Sequence, residues 1–154
     1  MPRILIATAL AAGLVALAPS HAAAESAGPL WATVNVCNPT QVGVRASLPG
    51  NGTRQRMRVR FTAQWFSPQA RKWVPVGGAA TSPWVDAGTA EYVYQQAGWT
   101  FHFEPLPAGT HFQVRGLAEM QWLSGRVVRS TTRVTHAGAA GVDVGSSLTS
   151  CSIG

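Results

Sequence analysis

Apolar and polar residues alternate with a period of two through most of the chain, the spacing of strands that bury one face. Across residues 56–65, Met57, Val59, Phe61, Ala63 and Trp65 fall on one side and Arg56, Arg58, Arg60, Thr62 and Gln64 on the other. Phe112, Val114, Gly116, Ala118, Met120 and Trp122 alternate with Gln113, Arg115, Leu117, Glu119 and Gln121 to give a second long strand. Trp99, Phe101 and Phe103 alternate with Thr100, His102 and Glu104 to give a third. Turn-forming residues separate these runs. Pro49-Gly50-Asn51-Gly52 follows an early strand over 42–48, and Ser67-Pro68 opens a turn toward 72–76. Leu123-Ser124-Gly125 joins the second long strand to residues 126–135 as an antiparallel hairpin. No internal repeat is present, and apolar residues recur at helical spacing nowhere outside the first two dozen positions. The pattern predicts an all-β sandwich or barrel.

Those first two dozen residues read differently. Met1-Pro2-Arg3 is a positive start, residues 4–18 an apolar run, and Ala22-Ala23-Ala24 a small-residue cleavage pattern before Glu25. Together they predict a signal peptide over 1–24 and one secreted domain over 25–154. The apolar run falls short of the roughly 20 residues that cross a bilayer, so no membrane insertion of the mature chain is expected. Two cysteines in an exported chain, Cys37 and Cys151, read as one disulfide, with a pair of free thiols as the alternative. Without histidines at ligand spacing they cannot fill a zinc site.

Leu106-Pro107-Ala108-Gly109-Thr110-His111-Phe112-Gln113-Val114-Arg115, followed by Ala118, resembles a segment of fibronectin type III domains. There a Leu-x-Pro-Gly-Thr-like turn leads into a strand reading aromatic-x-Val-Arg; Phe112 stands where the family usually has Tyr. The hairpin at Gly125 and residues 127–134 are similar to the last two strands of such a domain. The resemblance spans about 45 residues and implies a single antiparallel immunoglobulin-like or fibronectin-type-III-like β-sandwich. In such folds the first and last strands run side by side, which would bring Cys37 to Cys151. Antibody domains instead bridge two central strands, so the resemblance implies no immune-type role. It specifies no activity, because these sandwiches host adhesion, spacing and binding alike.

Lys+Arg 12 against Asp+Glu 6 gives a formal net charge of +6, carried almost wholly by arginine. Arg54, Arg56, Arg58 and Arg60 share one parity. Arg115, Arg129 and Arg133 are expected on the outward faces of the last two long strands, where the guanidinium groups would form one positive patch. The planar fork of arginine suits phosphate, sulfate or carboxylate. The expected partner is therefore an anionic polymer, polysaccharide or protein surface, set against a merely solvated arginine face partly paired with Glu119. Trp65, Trp99 and Trp122 are expected in the core. Trp73 and Trp84 fall outside it, either as exposed rings for stacking sugars, which makes a carbohydrate-binding module the alternative function, or as covers at one end of the core. His102 and Glu104 share a strand face, with His111 beyond a turn, which is either a two-His, one-carboxylate metal site of an unrecognised enzyme or three solvent-facing residues. Lys72, the sole lysine, is the only candidate for a covalent Lys–Asn cross-link. Asn51-Gly52-Thr53 is a glycosylation sequon in form and a favoured turn pair. Familiar nucleophile, zinc and phosphate-loop motifs are absent, so the expectation is a non-catalytic domain with no cofactor, no metal and no nucleic acid partner. No oligomeric state follows from the sequence.

Overall fold

Each alternating run forms a strand in the computed structural model, which describes residues 29–139 and 146–154; the expected signal peptide lies outside them. The strands are β1 (Trp31–Asn38), β2 (Gln41–Pro49), β3 (Arg56–Ser67), β4 (Lys72–Pro75), β5 (Val85–Thr89), β6 (Tyr94–His102), β7 (Phe112–Ser124), β8 (Arg126–Val134) and β9 (Cys151–Ile153). All pairings are antiparallel. One sheet runs β1-β2-β6 and the other β4-β3-β7-β8. β5 pairs with Arg56–Val59 and β4 with Gln64–Ser67, while β7 occupies the other edge of β3, so β4 and β5 share one edge. β8 and β9 likewise share an edge of β7. The fold is an all-β antiparallel sandwich.

The core sits between the sheets. Met57, Val59, Phe61 and Ala63 from β3 and Val114, Ala118, Met120 and Trp122 from β7 face Ala32, Val34, Val42, Val44, Ala46 and Leu48 from β1 and β2. Trp122 is fully buried and its indole donates to the Pro49 carbonyl at 3.1 Å, which satisfies its one polar atom. The sheets approach closely at Gly116, where a Cβ would lie 2.6 Å from Val44 Cγ2. Two of the expected core tryptophans are not enclosed. Trp65 is half-buried against Phe112, and Trp99 is 38% exposed. Trp99 shares the inner face with Val44, but β6 is the outermost strand of its sheet, so its ring projects past the cover.

A bulge in β1 positions the disulfide. Val34 pairs with Val44 but Val36 with Gly43, so one extra residue shifts the side-chain phase. Cys37 is thereby placed opposite Val42 on the inner face and meets Cys151, which pairs with Val114 on the inner face of β7. The bridge joins the two sheets, with a Cα–Cα distance of 5.5 Å. Leu148 exchanges two backbone hydrogen bonds with Val34, at 2.9 and 3.0 Å, so the segment before β9 covers the free edge of β1.

Candidate functional site

On β3 the polar parity faces outward, and the register decides what each arginine meets. Arg58 lies opposite Gln121, Arg60 opposite Glu119, and Arg115 opposite Gln64. Each makes the cross-strand bond its position permits. Arg58 gives Nε and Nη2 to Gln121 Oε1 at 3.0 and 2.8 Å, Arg60 gives Nη2 to Glu119 at 2.7 Å, and Arg115 gives Nε to Gln64 at 3.0 Å. Arg56 pairs with Asp86 from β5, and Arg54, in the preceding loop, with Glu91.

The tryptophans complete this face. Trp84 directly precedes Val85, which pairs with Val59, so it falls on the outer side beside Arg60. The Arg58 and Arg60 guanidinium carbons lie 4.2 and 4.7 Å from its ring centroid. Trp73, opposite Phe66, carries Arg115 at 4.5 Å and meets Phe66 edge-on at 5.6 Å. A ladder of two guanidinium–indole stacks, Arg58 and Arg60 on Trp84 and Arg115 on Trp73, therefore lies on the larger sheet. Exposed cation–π contacts contribute about 0.5–1 kcal/mol each and surface ion pairs no more, so the ladder chiefly fixes the cations in place. The cross-strand hydrogen bonds of Arg58 and Arg115 go to neutral amides, although Asp86 of β5 lies opposite Arg58 on its other side. The Gly88 N–H, and after it Arg56, hold the Asp86 carboxyl below its usual pKa. Burial draws Arg115 down from its ordinary value.

The structure corrects the expected single patch. Arg56, Arg58, Arg60 and Arg115 share the outer face, but Arg129 and Arg133 do not. Leu123 pairs with Val127 and Trp122 with Arg129, so a bulge at Val128 shifts the phase of β8. Arg129 and Arg133 then lie opposite Trp122 and Ala118, on the inner side of the sheet at its edge, while Val134 faces out opposite Leu117. Arg129 sits 4.3 Å above the Trp122 ring, and Arg133 bonds within its own strand to Thr131 and the Thr132 carbonyl. Trp73 and Trp84 are half-buried, and each carries a guanidinium over its ring, so neither is a bare stacking platform.

The remaining candidates are placed apart. His102 lies 3.4 Å from the Gln41 amide, His111 lies 3.0 Å from the Gly154 carbonyl, and Glu104 is exposed. Among the described residues no group of three or more His, Cys, Asp or Glu is placed to hold a metal ion. Asn51 Oδ1 accepts from the backbone and hydroxyl of Thr53, the turn its sequence favours. Gln64, Gln121 and Asp86 were not singled out by their sequence; strand parity places Gln64 and Gln121 with the arginines once the register is known, whereas the stacking of Trp84 has no local signal. No protein-family model matches the chain, and no curated protein is similar to it in sequence.

Proposed function

We propose that the protein is an exported, non-catalytic interaction domain that binds an anionic extracellular or cell-envelope polymer through the outer face of its larger sheet. One observation carries this reading: Arg58, Arg60 and Arg115 are held by both an indole ring and a cross-strand hydrogen bond, so the face presents ordered positive charge. Ordering long side chains beforehand removes much of the entropy cost of binding. A disulfide supports export, because such bonds persist in oxidising compartments. The all-β antiparallel sandwich is the architecture expected of a fibronectin-type-III-like domain, and binding and spacing roles are ordinary for such sandwiches.

The test is retention of the oxidised protein on an anionic polymer and on insoluble cell-wall material across a salt series, beside an equally basic unrelated protein. Retention above that control that falls as salt rises and is lost in the Arg56→Gln, Arg58→Gln, Arg60→Gln triple variant supports the reading. Retention equal to the control refutes it.

A further inference from the structure

We infer that the free edge of β8 accepts an extended acidic segment of a partner protein as an additional strand of the larger sheet. β8 is nine residues long, RVVRSTTRV, and every position but the half-buried Thr131 is exposed. One edge pairs with β7; among the described residues nothing pairs with the other. The strand is rich in β-branched residues and contains neither Pro nor Gly, so its backbone is ready to receive a partner.

The phase of the open edge can be read from its far end. Thr135 N donates to the Gly116 carbonyl at 3.0 Å. Opposed antiparallel pairs alternate between bonded and non-bonded. Arg129, Thr131 and Arg133 therefore turn their backbone groups toward β7, while Ser130, Thr132 and Val134 turn theirs outward. A peptide joining there makes its main-chain bonds to those three residues, displacing Arg133 Nη1 from the Thr132 carbonyl, and side chains on one of its faces flank Arg129 and Arg133.

Charge selects the occupant. Arg126, Arg129 and Arg133 have no acidic partner among the described residues, unlike Arg56 and Arg60 on the outer face. A second copy of the chain would bring three further arginines to the same seam, which disfavours self-pairing. An acidic segment supplies the missing charge. This edge is distinct from the polymer-binding face proposed above, and its occupation does not depend on it.

The probe is a capped peptide of about ten residues alternating threonine and glutamate, a length matched to one strand. Binding is followed by fluorescence anisotropy and by backbone amide NMR of the oxidised protein. The expected result is binding with shifts and slowed amide exchange at Ser130, Thr132 and Val134. Thr132→Pro removes an outward donor without removing a bond to β7 and should abolish it. Arg129→Gln with Arg133→Gln should weaken it about tenfold or more. Arg56→Gln, Arg58→Gln, Arg60→Gln should leave it unchanged, which separates this idea from the polymer-binding reading. If Thr132→Pro unfolds the sheet by circular dichroism, the Arg129→Gln, Arg133→Gln variant decides alone. No binding shows that the arginines only guard the edge against aggregation and overturns the inference. So do binding that maps to the outer face of β3 and β7, and self-association through β8 in place of peptide binding.

Discussion

Removing the disulfide by Cys37→Ala together with Cys151→Ala tests how the two ends of the chain are held. The bridge spans a sequence separation of 114. On the loop-entropy relation a closure of this length constrains the unfolded chain by ~4.8 kcal/mol at most, and native bridges usually deliver about 2–4 kcal/mol. Beside the bridge, β9 pairs with β7 over three residues, Gly154 N donates to the Pro39 carbonyl, and the preceding segment is bonded to β1 at Leu148 and Ser146 and to Thr135 through the Thr149 carbonyl. The loss should therefore be both global and local. Urea unfolding at neutral pH should show a decrease of about 2–4 kcal/mol. Native-state amide exchange should quicken at Leu148 and Ile153 before it changes in the centre of β3 or β7, because locally anchored segments open first. A decrease below about 1 kcal/mol, with exchange at Leu148 unchanged, would refute the reasoning and show that strand pairing alone holds the terminus.

Three further outcomes are expected. Gly116→Ala puts a methyl group against both Val44 methyls and the Thr135 methyl, at 2.6, 2.7 and 2.9 Å, and thermal melts should show a loss of about 1–3 kcal/mol from overpacking. Trp84→Ala removes the ring beneath Arg58 and Arg60, so stability should fall by about 1–2 kcal/mol, and the Arg58 and Arg60 side chains should show increased ps–ns motion by NMR. Asp86, whose carboxyl pKa is lowered in the folded state, contributes stability present above its unfolded value and lost as pH falls through the folded one. Asp86→Asn should flatten the acid limb of the stability profile, by a small amount because the side chain is 52% exposed.

The sequence displayed its strands where core residues alternate without interruption. β3 and β7 pair in a regular register from Arg56 opposite Leu123 to Trp65 opposite Val114, so parity alone assigns every side chain of that pair to a face. Bulges defeat the same logic. In the regular continuation of the hairpin at Gly125, Arg129 would oppose Gln121 and Arg133 would oppose Leu117, both outward. One extra residue at Val128 moves them opposite Trp122 and Ala118. The bulge in β1 has the reverse effect on legibility: it turns Cys37 inward, and without it the cysteine would point away from Cys151. Nothing in the composition around Val36 or Val128 announces either event. β9 was hidden for another reason. Three residues are too few to show a period, and its place is set by the disulfide and by pairing with Phe112–Val114.

The formal charge of the chain therefore divides into two kinds of surface that net charge alone does not distinguish. On the outer face, guanidinium groups are stacked on Trp73 and Trp84 and bonded to Gln64, Gln121 and Glu119, which gives them a fixed orientation. Such a surface acts through its field, and its interactions weaken as salt shortens the screening length. On β8 the arginines flank an edge row of backbone donors and acceptors, of which the Thr132 carbonyl is held by Arg133, and attraction of an added strand is supplemented by main-chain bonds that salt does not screen. A ligand held by the first surface should be released almost completely by rising salt. A strand added to the second should keep a salt-resistant component, because the bonds that place it belong to the backbone and not to the side-chain charge.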